Sequence, residues 1–159
     1  MIKLRIPRNQ RSRLRDCLRK AGRKEIGGFM MAELLRPDDF LFADFSVDES
    51  TGTSSQFVRN PEAHKAALDE FFQRTNFDYA KFNYLGEWHS HPSFSTNPSM
   101  VDILTMQRIV DHEPKINFSA LMIVRLKYGL FFEASAVMFR REHPPETMRV
   151  VNYVKIIWI

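Results

Sequence analysis

Two histidines, a serine and an aspartate within one short stretch carry the most specific chemistry of this 159-residue chain. The stretch runs Gly86-Glu87-Trp88-His89-Ser90-His91-Pro92, continues through Ser93 to Pro98, and reaches Ser99-Met100-Val101-Asp102. His89 and His91 are two apart, so on a strand both imidazoles leave the same face. Pro92 ends such a strand. Ser99 and Asp102 are three apart and share one side of a helix's first turn, from which Asp102 reaches back as a third ligand. Two histidines and a carboxylate with an open fourth position describe a catalytic zinc site, since structural zinc sites are closed by four protein ligands. Taken singly, each residue has a plainer use: strand histidines form ordinary hydrogen bonds, Asp102 faces a helix dipole and Ser99 starts a helix.

The elements that must position these residues follow from periodicity. Ile2, Leu4 and Ile6 alternate with Lys3 and Arg5 as on a half-buried strand that Pro7 ends. Leu14, Cys17, Leu18 and Ala21 recur at helical spacing, with Gly22 where a helix stops. Ile26 to Leu35 is apolar and begins with Gly27-Gly28, a strand that another backbone or a ligand approaches closely. Phe40 to Val47 pairs with it as a hairpin across Pro37-Asp38-Asp39. Residues 49–60 are loop-like, and Asn60-Pro61-Glu62 caps a helix with His64, Ala67, Leu68, Phe71 and Phe72 on its apolar side. Tyr84 to His91 is the histidine strand. Asn97-Pro98-Ser99 starts a helix that buries Ile103, Met106, Ile109 and Val110. Ser119–Arg125 and Leu130–Phe139 form a hairpin around Tyr128-Gly129, and 148–159 closes the chain as strand or helix. Alternating strands and helices with short connections predict an α/β (α+β) class with a mixed sheet, in one domain over 1–159.

Composition narrows the setting. Hydrophobic residues at 44% and charged residues at 26% suit a globular protein and exclude a disordered or collagen-like chain. No apolar run is long enough to span a bilayer, and Met1-Ile2-Lys3-Leu4-Arg5 lacks the apolar core of a signal peptide. The single cysteine, Cys17, excludes an internal disulfide and a Cys-rich zinc site. These features predict a cytoplasmic protein. Net charge is +4, but residues 1–24 hold ten basic side chains against one acid, Asp16. Such a block reads as a solvated helix face or as a surface that attracts nucleic acid or an acidic protein. No basic–aromatic interleaving accompanies it, so nucleic acid is not the expected partner.

The histidine–serine–aspartate spacing resembles the JAMM motif of the MPN-domain metalloproteases, and of their prokaryotic branch in particular. That motif is a distant glutamate, then His-x-His-Pro, seven residues, Ser, two residues, Asp. Lys24-Glu25-Ile26-Gly27-Gly28-Phe29 resembles the family's Glu-x-Gly-Gly strand opening, and Trp88 its aromatic before the first histidine. The order of elements is similar over roughly residues 1–140; residues 141–159 have no assigned counterpart.

The resemblance implies a mixed sheet flanked by helices, of the cytidine-deaminase-like kind, and a zinc isopeptidase that removes ubiquitin-like proteins. It implies one zinc on His89, His91 and Asp102, with Glu25 moving the water's proton to the leaving amine and Ser99 donating to the oxyanion. The implied partner is a ubiquitin-like protein or conjugate whose extended C-terminal tail lies along a sheet edge, with residues 49–60 and Phe57 facing it. Activating- and conjugating-enzyme-like proteins accompany some small prokaryotic members, including those of CBASS-type antiphage systems. Two other readings stay open: a catalytically silent MPN scaffold, and a nucleic-acid binder using the basic N-terminal face.

Overall fold

The computed structural model describes residues 1–48 and 61–154. Leu4 and Ile6 are buried between half-buried neighbours, and β1 spans Lys3–Pro7. Pro7, with its fixed φ, then caps α1 (Arg8–Ala21), which Gly22 ends at a φ of 62° with its N–H on the Leu18 carbonyl. The expected hairpin forms from β2 (Gly27–Arg36) and β3 (Asp39–Phe45), with Asp38 taking the left-handed φ of 59° in the turn. There follow α2 (Pro61–Arg74), β4 (Phe82–Ser90), α3 (Met100–His112), β5 (Phe118–Lys127), β6 (Phe131–Arg140) and β7 (Glu146–Tyr153). The chain's last segment, open between strand and helix in the sequence, is thus a strand up to Tyr153. Residues 155–159, and the 49–60 stretch with Phe57 and Asn60, lie outside the described residues.

The sheet is mixed, as expected, and it closes on itself in the order β1-β3-β2-β4-β5-β6-β7. Closure comes from β7, which runs parallel to β1 from Lys3↔Arg149 to Pro7↔Tyr153. Every described strand therefore has a neighbour on both sides, although several ladders run along only part of a strand, such as that of β6 with β7 at Ala136–Met138. The inner face holds the main core, including Ile2, Leu4, Met30, Phe42, Trp88, Met122 and Met138. Leu14 and Leu18 of α1 join it. Since α1 packs on β1, β3 and β5, and β5 neighbours neither of the others, this helix crosses the mouth of the closed sheet. Outside, Phe71 of α2 packs on Phe29 and Met31, and Met106, Ile109 and Val110 of α3 pack on Leu121, Ile123 and Phe139.

One irregularity in β4 decides which side chains face outward. Met31 pairs with Tyr84 and Met30 with Gly86, so Leu85 is an extra residue, a β-bulge. Before it, Phe82 and Tyr84 pack on the outer cluster with Phe29 and Met31. After it, Trp88 is in the inner core, as is Leu85 itself. The bulge therefore moves the odd-numbered residues Glu87, His89 and His91 to the outer face. Gly86 makes this possible. Its φ is 156°, and a Cβ there would lie 1.9 Å from the Ala120 carbonyl oxygen. Among the described residues, no helix is long and apolar enough to cross a membrane.

Replacing Gly86 by alanine forces β4 and β5 apart at this point. We expect Gly86→Ala to lose roughly 3 kcal/mol or more of stability in urea unfolding. A variant as stable as wild type would show that the bulge tolerates a side chain.

Candidate metal centre

The site is built where the end of β4 meets the start of α3. His89 of β4 and His91, just past the strand's end, are both buried, with their Nε2 atoms 3.3 Å apart. His91 Nδ1 lies 2.8 Å from the Ser95 carbonyl oxygen, which can only accept, so this nitrogen carries the proton. That bond leaves Nε2 of neutral His91 as the electron-pair donor. The Phe94 ring packs edge-on against His91, with centroids 4.9 Å apart. The Ser135 hydroxyl donates to the Thr96 carbonyl and ties this loop to β6.

Asp102 arrives through a helix cap. Ser99 is the N-cap of α3, and its Oγ accepts from the Asp102 N–H at 3.1 Å. Asp102 Oδ2 in return accepts from the Ser99 N–H at 2.7 Å and from its hydroxyl at 2.8 Å. This reciprocal capping box fixes the carboxylate's direction. Its Oδ1 lies 3.4 Å from His89 Nε2 and its Oδ2 3.8 Å from His91 Nε2. Burial pushes the Asp102 carboxyl up, but hydrogen bonding to His89, the charge on that ring and the two Ser99 bonds outweigh it, and the carboxyl is held at about 2. The helix N-terminus favours the same ionised form.

The structure thus brings His89, His91 and Asp102 together, with one ligand atom from each lying within 4.8 Å of the others. Two imidazole nitrogens and an ionised carboxylate oxygen, one ring already in the donating tautomer, form a donor set that suits zinc. Ser99 sits at the site's exposed rim, bonded to Asp102. Glu25 is buried but lies two residues ahead of β2 rather than on it. Gly27 pairs with His89 and the Ser90 N–H donates to the Ile26 carbonyl, so Glu25 directly precedes a residue bonded to the serine between the two histidines. The close backbone approach expected at the glycine pair is present: a Cβ on Gly28 would lie 2.2 Å from the Ser46 carbonyl oxygen.

Other residues depart from the sequence reading. Of the remaining histidines, His112 and His143 are exposed, and His64, on the apolar side of α2, is buried, with Nδ1 2.7 Å from Ser46 Oγ. It joins the first turn of α2 to the end of β3, a contact invisible until α2 is placed on the sheet. Part of the basic block is spent internally, since Arg5 forks onto Asp39 and Arg13 bonds Asp44. Ser95 was not anticipated as a site residue because it contributes only a backbone carbonyl. Phe94 and Ser90 stood beside the histidines without a pattern to single them out.

The low carboxyl pKa of Asp102 gives a signed expectation. A carboxylate whose folded pKa lies below its usual value stabilises the fold above about pH 4, and that contribution fades as pH falls toward 2. In the presence of a chelator, wild type should exceed Asp102→Asn in stability by about 1 kcal/mol at neutral pH. The difference should shrink between about pH 4 and pH 2. A difference that stays constant over that range would place the carboxylate's worth outside its charge.

Comparison with known proteins adds three findings. The family described as prokaryotic homologs of the JAB domain matches residues 7–151. A protein of Desulfitobacterium hafniense solved in solution is similar in fold, with a TM-score of 0.69 at 15% identity over 96% of this chain and 94% of that one. A protein of Salinibacter ruber, also solved in solution, has a TM-score of 0.56 at 17% identity, over 94% of this chain and 91% of that one. No curated protein matches the chain.

Proposed function

The chain belongs to the prokaryotic homologs of the JAB domain, and from that premise we propose that it is a zinc-dependent isopeptidase or peptidase. Its substrate is a ubiquitin-like modifier or a tail-conjugated protein, cut after the last residue of the conjugated tail. The observation that carries this reading is the convergence of His89, His91 and Asp102, with their ligand atoms within 4.8 Å. Sites that bind zinc for structure use four protein ligands, whereas three leave room for water and substrate.

When bound, zinc lowers the pKa of a coordinated water toward ~7 and polarises the scissile carbonyl. The chain's own residues do the rest. His89, His91 and Asp102 hold the ion. Glu25 takes a proton from the attacking water and returns it to the leaving amine, two steps that one carboxylate serves. Ser99 Oγ, at the rim, turns its hydroxyl from Asp102 toward the carbonyl oxygen as that atom gains charge. The substrate tail lies extended and pairs with backbone that the ladders between the described strands leave open. The partners are the modifier and the activating- and conjugating-enzyme-like proteins that attach it, in a CBASS-type system.

Metal content is the first test. Mass spectrometry should find about one zinc per chain in wild type and in Glu25→Ala, and none in His91→Ala. A linear fusion of a ubiquitin-like protein to a reporter should then be cut at the junction, and roughly a thousandfold more slowly by Glu25→Ala. A wild-type chain that takes up no zinc would sink the peptidase reading and leave a scaffold in its place.

A further inference from the structure

The reading of Glu25 as proton carrier leaves a physical problem. Glu25 precedes β2, and a proton-transfer group must keep a fixed position. Ser90 supplies one restraint. It is 1% exposed and lies between the two histidine ligands, on the inner face of β4 while they occupy the outer. Its N–H donates to the Ile26 carbonyl at 2.8 Å, the ordinary half of an antiparallel pair. A regular pair would return the Ile26 N–H to the Ser90 carbonyl. Here that N–H donates instead to the Ser90 side-chain Oγ, at 3.0 Å.

We propose that Ser90 is a positioning residue for Glu25: its backbone and its hydroxyl clamp both polar groups of Ile26 and so fix the carboxylate's backbone relative to the histidines on either side of the serine. The inference rests on the zinc-peptidase reading. It adds that the residue between the ligands sets the general base, not the ion. Three features support this. The clamped peptide is directly bonded to Glu25. The two bonds come from one residue of the metal strand, so Glu25 moves with the ligands. Both partners are buried, and a buried N–H without its acceptor is costly, which keeps the arrangement closed.

The test uses the whole chain loaded with cobalt(II) in place of zinc. The visible spectrum reports ligand geometry, and the pH midpoint of its change reports the ionisation that Glu25 influences. Wild type, Ser90→Ala, Ser90→Thr, Ser90→Cys and Glu25→Gln are compared, with Ile26 amide exchange followed by NMR. We expect Ser90→Ala to bind one cobalt with the wild-type spectrum at neutral pH. Its midpoint should shift toward that of Glu25→Gln, and Ile26 should exchange about tenfold faster. Ser90→Thr keeps the hydroxyl and should restore both values. Ser90→Cys nearly keeps the volume but weakens the acceptor, so it should shift like Ser90→Ala and serves in its place should that variant not fold.

A wild-type midpoint in Ser90→Cys, beside a shifted one in Glu25→Gln, overturns the proposal while leaving the metal reading intact. No cobalt uptake by wild type, or no shift in Glu25→Gln, overturns the underlying reading and this role with it.

Discussion

The site depends on a single extra residue in β4. A strand with strict alternation that places Phe82 and Tyr84 under α2 would send Trp88 outward and His89 inward, into a core with no room for a charged ion. The bulge at Leu85–Gly86 reverses that order within one pairing step. It lets the first half of β4 anchor α2 and the second half present ligands, while Trp88 fills the centre of the closed sheet. A bulge that re-aims side chains next to a reactive site is a recurrent use of this irregularity. Its requirement is a glycine close against Ala120.

The second constraint is that Asp102 has two employers. Its Oδ2 accepts two bonds from Ser99 and closes the cap of α3, while the carboxylate also faces both histidines. Cap and ligand are thus one group, and the geometry that satisfies the helix end is the geometry that completes the donor set. α3 in turn is fixed by Met106, Ile109 and Val110 against β5 and β6, starting one turn beyond Asp102. Hydrophobic packing therefore sets the position of the ligand, and hydrogen bonds set only its direction, an arrangement that tolerates the cost of holding an ionised group half-buried.

Much of this was legible in the sequence because its signals are local. His89, His91 and Asp102 occupy fixed offsets on one strand and one helix turn, and periodicity of two and of about four residues predicts which sides they share. The strands and helices follow the apolar spacing for the same reason. What stayed hidden is non-local. The closure of the sheet by β7 requires Lys3 to meet Arg149, which no local pattern encodes. The apolar run places the start of the strand at Ile26, but the ladder starts at Gly27, because the Ile26 N–H goes to the Ser90 side chain. His64 falls on the apolar side of α2 by its spacing, but its bond to Ser46, just past the end of β3, is not local.

These contacts divide the site into parts with different mechanical supports. The histidines belong to a central strand paired with β2 and β5. Asp102 belongs to a helix packed outside the sheet, and Glu25 to a turn following α1, the helix across the sheet's mouth. Ile26, the residue after Glu25, is bonded to β4 through Ser90. The candidate ligands are placed by the sheet and α3, whereas the proposed base is placed at the boundary between α1 and β2. In the proposed enzyme the two requirements, holding an ion and using it, would thus rest on different elements.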